Sequence, residues 1–197
     1  MTIGRPREFD EAEVLSKAMD VFWEKGFDGA GVAALTQAMG IGRQSLYDTF
    51  GDKRALYIRA VDAYVRDRMG PVLELLGAPD AGCEALKTVL DGWASKETCG
   101  EDRGCFLAGA ASGAPLDDEE MAAVVKGHVD GLEQSFRRVL ERCDKDGSLH
   151  LVGSPRQVAR TLTALSLGLG TLGRLQAPAS HRRDVVASAR ALLGLTD

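Results

Sequence analysis

The sequence predicts an all-α fold, and three observations carry that prediction. Apolar residues recur at three- and four-residue intervals from one end of the chain to the other, the spacing that lines one face of a helix. Sustained alternation of apolar and polar residues, the period of a half-buried strand, is missing from the sequence. Glycines and one capping sequence, Ser154-Pro155-Arg156-Gln157, cut the pattern into segments of helical length.

The elements follow in order. Residues 10 to 25 place Val14, Leu15, Ala18, Met19 and Phe22 on one face, with Glu11, Glu13, Lys17 and Glu24 outside it, and Gly26 ends the helix. Residues 31 to 39 repeat the pattern with Val32, Leu35 and Met39, and Gly40 stops it. A third, short helix runs from Gly42 to Phe50. Residues 53 to 69 make a longer fourth helix carrying Leu56, Ala60, Ala63 and Tyr64 at helical spacing. Gly70-Pro71 and the segment LLGAPDAG, residues 75 to 82, then interrupt the pattern. Further helices are expected over 82–96, 105–113, 117–143, 155–176 and 181–194. The 155–176 helix has the clearest start: Ser154 caps, Pro155 fits the first helical position and Gln157 completes a capping box. The organisation predicts an N-terminal domain over 1–52 and a larger helical domain over 53–197, with 53–69 as connector.

Composition narrows the partners. With 45% hydrophobic and 27% charged residues, a chain of 197 residues can bury a core without a disulfide framework. Its cysteines, Cys83, Cys99, Cys105 and Cys143, form no CxxC pair. A net charge of −5 gives no global basic signature, so any nucleic-acid contact must come from a local patch. Apolar runs fall short of the roughly 18 residues a membrane span needs, and MTIGRPREFD lacks the apolar segment of a signal peptide. The expectation is a cytoplasmic protein with no membrane partner.

The stretch GIGRQSLYDTFGDK, residues 40 to 53, is too polar for a core helix, yet Leu46 and Phe50 share a helical face. Two short helices joined by a glycine-containing turn make a helix-turn-helix, whose second helix enters the DNA major groove by its N-terminal residues. Arg43 and Gln44 stand at that end, and these side chains make bidentate contacts, Arg with guanine and Gln with adenine. Ser45, Tyr47 and Thr49 offer hydroxyls and Lys53 a charge to phosphates. Asp48 could accept from a cytosine amino group or simply lie at the groove edge. Arg5 and Arg7 form a basic arm that would reach phosphates or a minor groove. A solvated polar helix face and a solvated tail are the competing readings.

Residues 8 to 56 resemble the DNA-binding domain of the TetR/AcrR family of bacterial repressors. The resemblance rests on an amphipathic first helix ending in Gly26-Phe27, the Ala38-Met39-Gly40-Ile41 turn, and Ser45-Leu46-Tyr47 followed by Phe50 and Lys53. It implies a homodimeric transcriptional regulator that represses from a palindromic double-stranded DNA operator and is released by a small-molecule inducer. It also implies base contacts for Arg43 and Gln44, and phosphate contacts for Ser45, Tyr47, Thr49 and Lys53. Two positions depart from the family's pattern. Ala30-Gly31 stands where Thr-Ser is common, leaving any phosphate contact at Gly31 to its backbone N–H. Gly42 replaces a serine cap, at a cost of a few tenths of a kcal/mol, roughly.

The second domain is less explicit. Thr161, Ala164, Gly168 and Thr171 form a stripe of small residues, and the last helix carries Val185, Val186, Ala189, Leu192 and Leu193. The family pairs its last two helices into a four-helix dimer interface, which implies Ala164, Gly168, Thr171, Val185, Ala189 and Leu192 as dimer contacts. Packing of Gly168 and Gly170 within the chain is the alternative. An effector pocket is expected among 82–96, 105–113 and 117–143, walled by Trp93, Phe106, Met121, Val125 and Leu132. His128 is a polar anchor in it or a satisfied core histidine. In CGEDRGCF, residues 99 to 106, a helix start and Arg103 favour a Cys105 thiolate, with Cys99 as resolving partner. The alternative function is therefore a thiol-based repressor sensing oxidants or electrophiles through Cys105; otherwise Cys105 is a small buried hydrophobe. No HExxH, GxSxG or metal-spaced His/Cys cluster occurs, and GLGTLG at 168–173 follows no strand. The sequence thus predicts no enzyme, no cofactor and no metal.

Overall fold

In a computed structural model, which describes residues 9–95, 103–113 and 118–195, every regular element among the described residues is helical. The chain forms two compact units, Met1–Tyr64 and Val65–Asp197.

Asp10 opens the first unit. Its carboxylate accepts from the backbone N–H of Ala12 at 2.8 Å and of Glu13 at 3.4 Å, capping α1, Glu11–Gly29. Gly26 breaks this helix with φ +70° as the sequence suggests, but one further turn follows before Gly29. Helix α2 is Val32–Met39, and Gly40, in the left-handed conformation, ends it. Helix α3 is Arg43–Phe50 and α4 is Lys53–Tyr64, whose first turn is held by Asp52 accepting from the Ala55 N–H at 2.7 Å. Leu56, Tyr57, Ala60, Val61 and Tyr64 of α4 are buried. Two edge-to-face contacts join α4 to α1, Phe22 with Tyr57 at 5.0 Å and Trp23 with Tyr64 at 5.1 Å between centroids. The helix expected to connect the domains therefore belongs to the first unit as far as Tyr64.

The second unit begins with one turn of π-helix, Val65–Met69. Helix α5, Gly70–Gly77, comes next, where the sequence suggested an interruption. Pro71 sits in its first turn, where a missing N–H costs nothing, and Val72, Leu73 and Leu76 reach the core. Then come α6, Cys83–Ala94; α7, Phe106–Gly113; α8, Glu119–Asp146; α9, Pro155–Arg174; and α10, Ala179–Leu192. The capping box of α9 forms as expected: Gln157 N–H donates to Ser154 Oγ at 3.4 Å, and Ser154 N–H to Gln157 Oε1 at 2.9 Å. Leu86, Leu90, Phe136, Leu140, Leu162 and Val186 are among the buried residues that join α6, α8, α9 and α10 in one core.

The approach to α7 meets α9 backbone to backbone. A Cβ on Gly104 would lie 2.1 Å from the Gly170 carbonyl oxygen, and one on Gly170 would lie 2.4 Å from the Cys105 Cβ. Gly104 also has φ +72°, so glycine is required there on two counts.

Candidate nucleic-acid interface

Helix α3 is pinned by its apolar side and open on the other. Leu46 and Phe50 are buried, whereas Arg43, Gln44, Tyr47 and Asp48 are exposed and Ser45 and Thr49 half-buried. Gly42 and Gly31 precede α3 and α2 without any side-chain cap, so the first-turn N–H groups of both helices face outward with the positive end of the helix dipole.

The exposed side chains are organised in pairs one turn apart. Arg43 Nη2 donates to the Tyr47 hydroxyl at 3.4 Å, with the guanidinium carbon 5.6 Å from the ring centroid. Gln44 Nε2 donates to Asp48 Oδ1 at 2.8 Å. Lys53 stands beyond the end of α3, its ammonium 4.5 Å from the centre of the Phe27 ring, which in turn meets Tyr57 edge-on at 5.1 Å.

Arg59 is a member of the site that sequence reasoning missed. Its guanidinium lies 4.8 Å from the Phe50 ring centroid, donates to the Thr49 carbonyl oxygen at 3.4 Å and pairs with Glu11. A cation at the C-terminal end of α3 complements the helix dipole and ties α3, α4 and α1 together. The pattern of α4 alone holds no sign of this contact, because Glu11 lies 48 residues away. Arg5, Arg7 and Cys99 lie outside the described residues.

The residues expected to wall an effector pocket are interior ones. Trp93, Phe106, Met121, Val125 and Leu132 are all buried, and Trp93 meets Phe136 edge-on at 5.9 Å. His128 is half-buried. Cys105 immediately precedes α7, is half-buried, and its Sγ accepts from the Ala108 N–H at 3.5 Å. Burial pushes the Cys143 thiol above its usual pKa, and that of the Tyr57 phenol up to about 12.

The expected dimer face divides. Ala164, Gly168 and Thr171 are exposed on α9, and Leu175, 72% exposed, continues their spacing. Nothing lies within 4 Å of a Cβ built on Gly168. Val185 and Leu192 are half-buried. Ala189 is a correction: it shares the inward face of α10 with Arg182 and Val186, is fully buried in its own chain's core, and is not available to a second copy. Among the described residues no cluster of His, Cys, Asp and Glu is placed to hold a metal ion, and no helix is long and apolar enough to cross a membrane.

Known proteins share both the sequence and this architecture. The family model for bacterial regulatory proteins of the tetR family matches residues 14–60, which contain α2 and α3. The HTH-type transcriptional regulator YezE of Bacillus subtilis (strain 168) is 32% identical over 188 residues, covering 93% of this chain and 96% of its own. The HTH-type transcriptional repressor BdcR of Escherichia coli (strain K12) is 38% identical over 87 residues, 44% of each chain. A cysteine-substituted form of the TetR family transcriptional regulator CifR, solved in complex with 26-bp double-strand operator DNA, superposes with a TM-score of 0.83 at 30% identity. That match covers 96% of this chain and 100% of CifR. A helix-turn-helix with this exposed face, in a chain so aligned over more than nine-tenths of its length, identifies the protein as a DNA-binding transcriptional regulator of the TetR family.

Proposed function

We propose that the protein is a repressor that binds an inverted-repeat operator as a homodimer and leaves it when a small molecule binds the second unit. The observation that carries this reading is the exposed face of α3, with Arg43 and Gln44 at its N-terminal end and both held by side chains one turn on. Arg43 and Gln44 read bases; Ser45, Tyr47, Thr49 and Lys53 hold phosphates, whereas the Gly31 N–H is engaged by the Gly29 carbonyl at 3.1 Å. The arm carrying Arg5 and Arg7 adds phosphate or minor-groove contacts. BdcR, named a repressor, and CifR, solved on operator DNA, support the role. One recognition helix per chain reads one half-site, so two copies read an inverted repeat, and the open α9 face at Ala164, Gly168 and Thr171 supplies the contact between them.

The inducer acts only through its differential affinity for the DNA-competent and DNA-incompetent states. Trp93, Phe106, Met121, Val125 and Leu132, with His128 as polar anchor, are the residues proposed to receive it. Selection from random DNA tests the first part. It should enrich an inverted repeat whose half-site centres lie about one helical turn, or a multiple, apart, bound by two chains. Enrichment of no repeat would sink the reading. A compound that binds tightly yet leaves operator affinity unchanged would remove the switch.

A second reading is favoured by the contact at Cys105, whose Sγ accepts a backbone N–H at the start of α7. In it, oxidants or electrophiles modify Cys105 and release the operator. A Cys105→Ser variant that still lets go of DNA on treatment with hydrogen peroxide or N-ethylmaleimide would leave the thiol without that role.

A further inference from the structure

An exposed carboxylate on a DNA-reading helix is a liability, because it faces the phosphates with the wrong sign. Asp48 is such a carboxylate, and the structure shows it occupied: its Oδ1 accepts from Gln44 Nε2 at 2.8 Å. We propose that Asp48 sets the base preference of Gln44 rather than reading a base itself. The inference rests on α3 being the recognition helix.

A glutamine amide presents a carbonyl oxygen and an NH2 group of nearly equal size. Unrestrained, it turns end over end, and its donors and acceptor can then answer adenine, guanine, thymine or cytosine in turn. A carboxylate accepts and does not donate, so Asp48 can pair only with the NH2 end of the amide. That bond uses one N–H and fixes the amide plane. What remains pointing away is one acceptor, Oε1, and one donor, the second N–H, the pair that complements N6–H and N7 of adenine.

The fixed amide also works against error. Guanine O6 or thymine O4, brought to the place of the adenine N6–H, would meet the Gln44 Oε1 acceptor instead of a donor. Arg43 uses the same one-turn spacing with Tyr47, but a hydroxyl both donates and accepts, so that pair selects less. Direct reading of a cytosine amino group by Asp48, through Oδ2 while Oδ1 holds Gln44, is the rival.

Selection from random DNA with the full-length protein separates these cases, using wild type, Asp48→Ala, Asp48→Asn, Gln44→Ala and the Gln44→Ala/Asp48→Ala double variant. Asp48 is exposed, so its replacement leaves the core intact. The wild type should prefer adenine at one position of each half-site. Asp48→Ala should lower that preference about tenfold at the same position, while its affinity for unrelated DNA rises as a negative charge leaves. Asp48→Asn removes the charge but puts in a group that donates as well as accepts, so it can pair with either end of the Gln44 amide. It should lose the adenine preference as Asp48→Ala does, while also binding unrelated DNA more tightly. On a Gln44→Ala background, adding Asp48→Ala should change no further position.

An adenine preference that survives Asp48→Ala overturns the proposal. So does loss of a cytosine at another position, in the presence or absence of Gln44. A wild type that enriches no sequence would fell the recognition-helix reading and this inference with it; a selective wild type indifferent to Asp48→Ala fells only this inference.

Discussion

Lys53 rests its ammonium over the Phe27 ring, beyond the end of α3, and that placement separates it from Arg43 and Gln44. On the proposed reading, a charge there meets phosphates whatever the sequence. Lys53→Ala should therefore weaken binding to operator and scrambled DNA alike and make the salt slope shallower by about one unit. Arg43→Ala or Gln44→Ala should instead relax sequence preference, at a cost of about 1–3 kcal/mol at one base step. Titrations on both DNAs at several salt concentrations distinguish the two groups, and a changed preferred sequence in Lys53→Ala would overturn the division. Tyr57 makes a different prediction, about pH. Its phenol is buried, with a pKa pushed up to about 12 from an ordinary value of 10.0. Its contribution is complete below pH 10, where the phenol is neutral in both folded and unfolded chains. It is lost as pH rises through 12, by up to about 2–3 kcal/mol, because the unfolded chain ionises first. Denaturant melts at stepped alkaline pH should show this loss in the wild type and a flatter profile in Tyr57→Phe.

At the level of the element, α9 has two unlike faces within one glycine-rich run. Gly170 meets Cys105 so closely that Gly170→Ala should push the start of α7 away and destabilise the second unit by about 1–3 kcal/mol. Gly168 has nothing of its own chain within 4 Å of a built Cβ, so Gly168→Ala should leave the single chain as stable or add up to about 1 kcal/mol of helix propensity, its effect falling instead on the proposed contact between copies. Chemical denaturation of the two variants compares them directly, and equal loss in both would contradict the assignment of faces. The small-residue stripe was legible in the sequence, but its rotation was not, since which glycine meets α7 depends on how α9 packs. The same limit applies to Ala189, whose inward position follows from packing of α10 against α6 and α9. Helix α5 was hidden by Gly70-Pro71, a pair that breaks a helix from inside and opens one from its first turn. By contrast, α3 was legible because Leu46 and Phe50 fix its buried side through spacing alone, and every polar side chain around them is then assigned a direction. Arg59 was not, because its partners on α1 and α3 are set by tertiary contact.

Across the molecule, a net charge of −5 means that DNA affinity must be concentrated on a small part of the surface. Strong salt dependence should accordingly come from the first unit, and removing residues 1–7 should lower affinity for operator and scrambled DNA alike if the arginine arm takes part. The two units also differ in what lies inside them. The chain has two tryptophans, and one is buried in each: Trp23 edge-on to Tyr64, and Trp93 edge-on to Phe136. Each unit therefore carries its own fluorophore. Trp93→Phe leaves emission that reports the first unit alone, and Trp23→Phe leaves emission that reports the second. Ligands that bind only the folded state raise the melting point of the part they hold. Operator DNA should thus raise the transition seen through Trp23, and an inducer the one seen through Trp93. If either ligand moves both transitions equally, the two units melt as one cooperative body; if they move separately, the pair of single-tryptophan variants reports occupancy of each unit by its own melting temperature.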